Sequence, residues 1–213
     1  MPVFRRQRPL VGLDIGSSAV KAVELKPAGQ SYRVTAYGSE PIPPDAIVDG
    51  AIIDGAAVAD AIRRLFESRG IKAREVAASL SGTAIIVKKI TVPPMSATEL
   101  AESISWEAEQ YVPFDIQDVN IDYQAISGAP DGTAPVAGQG MDVLLVAAKK
   151  EKIADYTGVI QQAGRTPVVV DVDAFALQNC YEVNYGGEPG AVVALVNAGA
   201  SGTNVNVISG EQS

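Results

Sequence analysis

The chain has 213 residues, 47% of them hydrophobic and 20% charged, with a formal net charge of −8. That length and apolar share allow one or two domains with a real core and exclude a disordered chain. The acidic balance argues against nucleic acid as the main partner, the absence of histidine excludes imidazole chemistry, and the single cysteine, Cys180, excludes an internal disulfide.

No apolar run reaches membrane-spanning length. The basic start at residues 1–8 runs into a strand instead of a signal segment and reads as a solvated arm. Residues 10–25 form the first informative stretch. Leu10 to Ile15 is a short, mostly apolar run, Gly16, Ser17 and Ser18 break it, and Val20, Val23 and Leu25 resume it. This pattern predicts a β-hairpin with a tight turn. Small side chains let a ligand approach the backbone, and amides at such a turn can hold an anion. Asp14 reads either as one solvated residue of an ordinary hairpin or as a carboxylate that holds Mg²⁺ through water beside a phosphate. Lys21, in the strand beyond the turn, can point toward it or away.

A third strand is expected over 31–40 and a Pro-rich loop over 41–50. Asp54 can cap a helix that Gly70 ends, with Val58, Ala61, Ile62, Leu65 and Phe66 on one face. Arg63, Arg64 and Glu67 read as its wet side. Strands are expected over 75–81 and 84–92. Ser96 and Glu99 form a capping box for a helix to about Tyr111, with Leu100, Ile104, Ala108 and Tyr111 as its buried stripe. Trp106 falls on the opposite side of that helix and reads either as packed under a neighbouring element or as a partner-facing anchor. Val119, Ile121, Tyr123 and Ala125 alternate as a half-exposed strand. Residues 127–140 read as a loop, 141–148 as an apolar strand and 151–163 as a helix. Val168 to Val170 read as strand, Asp171 as its end and Asp173 as the cap of a helix to about Val183. Cys180 in that helix reads as a buried small side chain. Residues 185–190 read as a loop.

Residues 194–208 repeat the first hairpin. A shift of 183 positions places Asn197 on Asp14, Gly199 on Gly16, Ser201 on Ser18, Thr203 on Val20 and Ile208 on Leu25. A far-separated repeat of this kind suggests two related halves whose turns could clamp a polyphosphate.

This layout resembles the actin, sugar-kinase and heat-shock-70 ATPase superfamily, which implies an α/β, ribonuclease H-like fold. Pro93-Pro-Met-Ser-Ala-Thr-Glu-Leu, then Ile104-Ser-Trp-Glu-Ala-Glu-Gln-Tyr-Val-Pro-Phe, then Val119-Asn-Ile-Asp-Tyr-Gln are similar to the signature of the PilM family of type IV pilus assembly proteins. The cell-division protein FtsA is a related outgroup. The resemblance implies a discontinuous subdomain 1A at 1–83 and 165–190, an inserted α+β subdomain 1C at 84–164, and the start of subdomain 2A at 191–213. It implies ATP or ADP with Mg²⁺ as cofactor in a complete protein. Asp14, Gly16, Ser17, Ser18 and Lys21 would form the first phosphate motif, and Asn197, Gly199, Ala200 and Ser201 the second. Asp171 and Asp173 read as turn and cap residues or as carboxylates near the metal, with Asp171 joining Asp14 there through water.

Aspartate is usual where Asn197 stands, and an amide brings no negative charge to Mg²⁺, which leaves at most weak hydrolysis. The family continues through the rest of 2A and 2B, so the chain is expected to be a fragment without a whole adenine pocket. Implied partners are the N-terminal cytoplasmic tail of PilN, in a groove involving 1A and 1C, and other platform and motor proteins of the pilus. The implied location is the cytoplasmic face of the inner membrane, held through protein partners, with self-association into homo-oligomers allowed. The alternatives are an FtsA-like filament protein and a small-molecule kinase-like phosphotransferase.

Overall fold

A computed structural model describes residues 10–29, 31–127, 140–186 and 190–209. The expected basic arm and most of the loop expected over 127–140 lie outside these residues, as does part of the 185–190 loop. In chain order the first elements are β1 (Leu10–Ile15), β2 (Ala19–Ala28), β3 (Ser31–Pro41), β4 (Ile47–Val48), β5 (Ala51–Ile52), α1 (Gly55–Ser68) and β6 (Glu75–Leu80). Then come β7 (Ile85–Val92), α2 (Ala97–Glu109), a 3-10 turn (Ile116–Asp118), β8 (Val119–Ser127), β9 (Met141–Lys149) and α3 (Lys150–Gln162). The last are β10 (Thr166–Val172), α4 (Asp173–Tyr185), β11 (Val192–Ala198) and β12 (Thr203–Ser209). The chain forms two compact units, one from residues 1–81 and 155–213 and one from residues 82–154.

The first unit is built on a five-stranded sheet of order β10-β6-β1-β2-β3. β1, β2 and β3 form an antiparallel meander, whereas β6 runs parallel to both β1 and β10. Alternation decides which side is dry. Val11, Leu13, Ile15, Val20, Ala22, Val76, Ala78 and Leu80 are buried. α1 lies against β2 and β3 and buries Val58, Ile62, Leu65 and Phe66 completely. Each such side chain contributes about 1.5–3 kcal/mol from apolar burial. The Asp54 carboxylate accepts from the Ala57 amide at 2.9 Å and starts the helix. Gly70, at φ +64°, stops it by entering the left-handed region, where a side chain would be strained.

At the end of the expected 41–50 loop, β4 pairs with β5 across Asp49 and Gly50, both at positive φ. This two-residue hairpin was hidden because Asp-Gly turn chemistry sat inside a Pro-rich stretch. β10 runs through Val172, past the expected end at Asp171. Its partner β6 supplies the reason, because Asp171 pairs with Ser79 and Val172 with Leu80.

The second unit is a three-stranded antiparallel sheet, β7-β9-β8, with α2. Leu100, Ile104 and Ala108 from α2 join Ile90, Val92, Val143, Leu145 and Ala147 in one core. The capping box is complete. Ser96 Oγ accepts from the Glu99 amide, and the Glu99 carboxylate accepts from the Ser96 amide. The Ser96 amide, and after it the Ser96 hydroxyl, donate to that carboxylate, favour its charged form and hold Glu99 below its ordinary pKa. Trp106 is 64% exposed, so the reading that packs it under a neighbouring element is corrected. The α2 stripe already fills the core-facing side of the helix. The return to the first unit falls inside α3 at Asp155, earlier than the 164 drawn from the sequence. Tyr156 anchors that part of α3, its hydroxyl donating to the Gly50 carbonyl at 3.1 Å.

Candidate phosphate and cation site

The first hairpin is closed by the Gly16 amide donating to the Ala19 carbonyl at 3.1 Å. Asp14 stands opposite Lys21 in the ladder. The Lys21 ammonium donates to Asp14 Oδ2 at 2.7 Å. It also lies 3.7 Å from where a Cβ on Gly16 would be. Lys21 therefore points toward the turn and over Gly16. The turn presents Ser17 and Ser18 beside a positive charge.

Asp14 lies near the carboxyl end of β1, and β6 and β10 run parallel beside it. Open sheets bind ligands in the crevice at such strand ends. One residue beyond the Leu13–Ala78 pair, the register sets Asp14 beside Ser79, which pairs with Asp171. Ser79 Oγ donates to Asp173 Oδ1. Asp173 is thus occupied by the neighbouring strand. It makes no side-chain cap, and Val172 stands at the N-cap of α4, which corrects the capping expectation. The Asp171 carboxylate folds back to accept from the Val172 amide at 2.8 Å.

Tyr156 joins this group. Its pKa is pushed up to about 12, first by burial and then by the negative charges of Asp173, Asp14 and Asp155. Sequence reasoning missed both Tyr156 and Ser79. Ser79 carried a readable signal, as the one hydroxyl in an otherwise apolar run from Val76 to Leu80. Tyr156 carried none beyond helical spacing.

The second hairpin repeats the geometry of the first. Asn197 pairs with Asn204, the positions of Asp14 and Lys21 shifted by 183 (14 + 183 = 197; 21 + 183 = 204). The Gly199 amide donates to the Gly202 carbonyl at 2.8 Å, the same closing bond. A Cβ on Gly199 would come 2.9 Å from that carbonyl, so a tight turn requires glycine there. Ala200 and Ser201 complete the turn. Asn206 ties β12 to α4 by donating to the Ala174 carbonyl at 3.2 Å. Cys180 on α4 is exposed, correcting the expectation that it is buried. α4 buries none of its residues, so no core was there to receive the thiol.

The residues fit a Mg²⁺-polyphosphate in part. Among the described residues no three His, Cys, Asp or Glu side chains gather as a metal cage. Mg²⁺ commonly takes one or two carboxylates and completes its shell with phosphate and water oxygens, which suits a lone Asp14. The Lys21 ammonium is a stand-in cation on Asp14.

The mixed sheet, with its acid at a parallel strand end and a repeated turn, belongs to an α/β protein of actin-like fold, as its structural likenesses show. The model of the type IV pilus assembly protein PilM family matches residues 12–213, and the chain belongs to that family. It is similar to the structure of a PilM-PilN type IV pilus biogenesis complex, with 32% identity and a TM-score of 0.84 over 95% of this chain. The chain spans 59% of the length of that matched protein. It shares its fold with the cytoplasmic domain of EpsL, an inner-membrane component of the type II secretion system of Vibrio cholerae. There the identity is 14% and the TM-score 0.54, with 94% of this chain and 71% of the other covered. Among the described residues no helix is long and apolar enough to cross a membrane.

Proposed function

We propose that this chain is part of a nucleotide-binding scaffold of the type IV pilus assembly machine that recruits the N-terminal cytoplasmic tail of PilN. The observation that carries the reading is the PilM-PilN match across 95% of the chain. On this reading the first unit corresponds to subdomain 1A with the start of 2A, and the second to 1C. The protein works at the cytoplasmic face of the inner membrane, held there by its partner. The nucleotide half of the reading is supported by the two register-matched turns. Gly16, Ser17, Ser18 and Lys21 face the phosphates from one hairpin, and Gly199, Ala200 and Ser201 from the other. Mg²⁺ sits by Asp14 when the nucleotide is bound.

Trp106 supplies a contact for the tail, since an exposed indole needs cover and aromatic anchors dominate interface energies. The test is fluorescence anisotropy with a labelled peptide of the PilN tail. Wild-type chain binds, and Trp106→Ala weakens binding about tenfold or more with an unchanged melting temperature, as expected for an anchor worth roughly 1.5 kcal/mol or more. No binding by wild type would refute the scaffold reading. Full binding by the Trp106 variant would remove only that residue from it.

A further inference from the structure

Asp14 and Lys21 hold one another in a place where each has another use. The ammonium lies 2.7 Å from Asp14 Oδ2 and 3.7 Å from the Gly16 Cβ position. Both groups are more than half exposed, so neither is locked by packing. A divalent cation on the same carboxylate oxygen would stand at about 2.0–2.1 Å from it. Two cations cannot share that oxygen at such spacing without strong repulsion. The flexible lysine stem can move its charge a few ångströms, and the phosphate turn is the neighbouring place for it. In the second hairpin the matching pair is Asn197 and Asn204, which holds no cation.

We infer that Lys21 is an internal cation on Asp14 that an arriving divalent metal displaces, so that metal binding releases the ammonium to the polyphosphate at the Gly16–Ser18 turn. Metal and phosphate are thereby coupled through this chain, in addition to their direct contact, and only through the first hairpin. The coupling is reciprocal: phosphate that draws Lys21 away opens Asp14 to metal. This inference rests on the phosphate reading of the turn for its second half, while the competition at Asp14 stands without it.

The experiment has two arms. The first titrates Mn²⁺ alone into the chain and follows free Mn²⁺ by electron paramagnetic resonance. Lys21→Gln binds Mn²⁺ roughly two- to fivefold more tightly than wild type, the factor that an exposed ion pair is worth. Asp14→Asn loses the site. Lys26→Gln is the control for net charge, because Lys26 lies five residues along β2, roughly 16 Å away and beyond the screening length. An unchanged or weaker affinity in Lys21→Gln, or an equal gain in Lys26→Gln, would overturn the competition.

The second arm uses inorganic triphosphate with a chelator present. Asp14→Asn, which frees the ammonium without metal, binds triphosphate several-fold more tightly than wild type. The Asp14→Asn, Lys21→Gln double variant loses that gain. A gain that survives in the double variant would overturn the release step, since it would come from removal of a negative charge alone. Failure of every variant to bind triphosphate would overturn both the release step and the phosphate reading of the turn. The Mn²⁺ series would still decide the competition separately. Thermal melts of each variant confirm that the exposed substitutions leave the fold intact.

Discussion

The two hairpins share a register, a closing bond and a glycine at the same turn position, yet differ in charge and in what lies beneath them. β1–β2 belongs to a five-stranded sheet and carries an ion pair, whereas β11–β12 is a two-stranded sheet with amides at the same positions. Leu13 is 3% exposed, but its counterpart Val196 (13 + 183 = 196) is 63% exposed. The difference teaches that turn geometry and turn chemistry are separable. Backbone bonds and glycines preserve the loop, while the facing side chains on the strands set its charge.

The largest effect that would sharpen this contrast comes from packing. Leu13→Ala removes a buried side chain and should destabilise by about 2–5 kcal/mol, whereas Val196→Ala should stay within about 0.5 kcal/mol. Urea denaturation of both variants measures the gap, and equal losses would mean that the second hairpin has as firm a base as the first.

Next in size is a change at the glycines. In Gly199→Ala the new Cβ must push on backbone 2.9 Å away, against 3.2 Å in Gly16→Ala. The former should cost about 1–3 kcal/mol in local stability and the latter less. Amide hydrogen exchange at the two closing bonds reads each cost directly. Faster opening at residue 16 than at 199 would contradict the ranking.

A smaller effect belongs to Tyr156, whose phenol feels the negative charge of Asp14 in the charged hairpin. Tyr156→Phe should cost about 1 kcal/mol through the lost bond to Gly50. Its pH signature is more telling. The folded-state pKa is raised from 10.0 to about 12, so the folded chain keeps the phenol neutral while the unfolded chain ionises it. The associated stability is whole below pH 10 and falls as pH rises toward about 12. Wild type should lose more stability than Tyr156→Phe between those values, as followed by chemical denaturation. Parallel curves would show that the hydroxyl titrates as in the unfolded chain.

The smallest stability effect is expected from making the hairpins alike. Asp14→Asn with Lys21→Asn gives the first hairpin the amide pair of the second. An exposed ion pair is worth about 0–1 kcal/mol, so the melting temperature should scarcely move. Mn²⁺ binding at this site should nevertheless be lost. A large fall in stability would make the pair structural.

Much of this molecule could be read from short stretches of sequence. The strand–turn–strand over residues 10–25, the Ser96–Glu99 box and the α1 face each depend on residues within one or two turns of chain. Local period and turn chemistry fix them wherever the chain goes. The repeat at 183 also carried over into space, register for register, because a glycine turn sets hairpin pairing from within. Tertiary structure alone decided which side chains meet at the site. Ser79 finds Asp173 across 94 positions and Tyr156 finds Gly50 across 106. Those meetings follow from the parallel order β10-β6-β1 and from where α3 returns, neither of which has a local signature. The exposure of Trp106 was undecided, and that of Cys180 misread, for the same reason. A helix pattern says which residues share a face, but only the packed neighbours say which faces are covered.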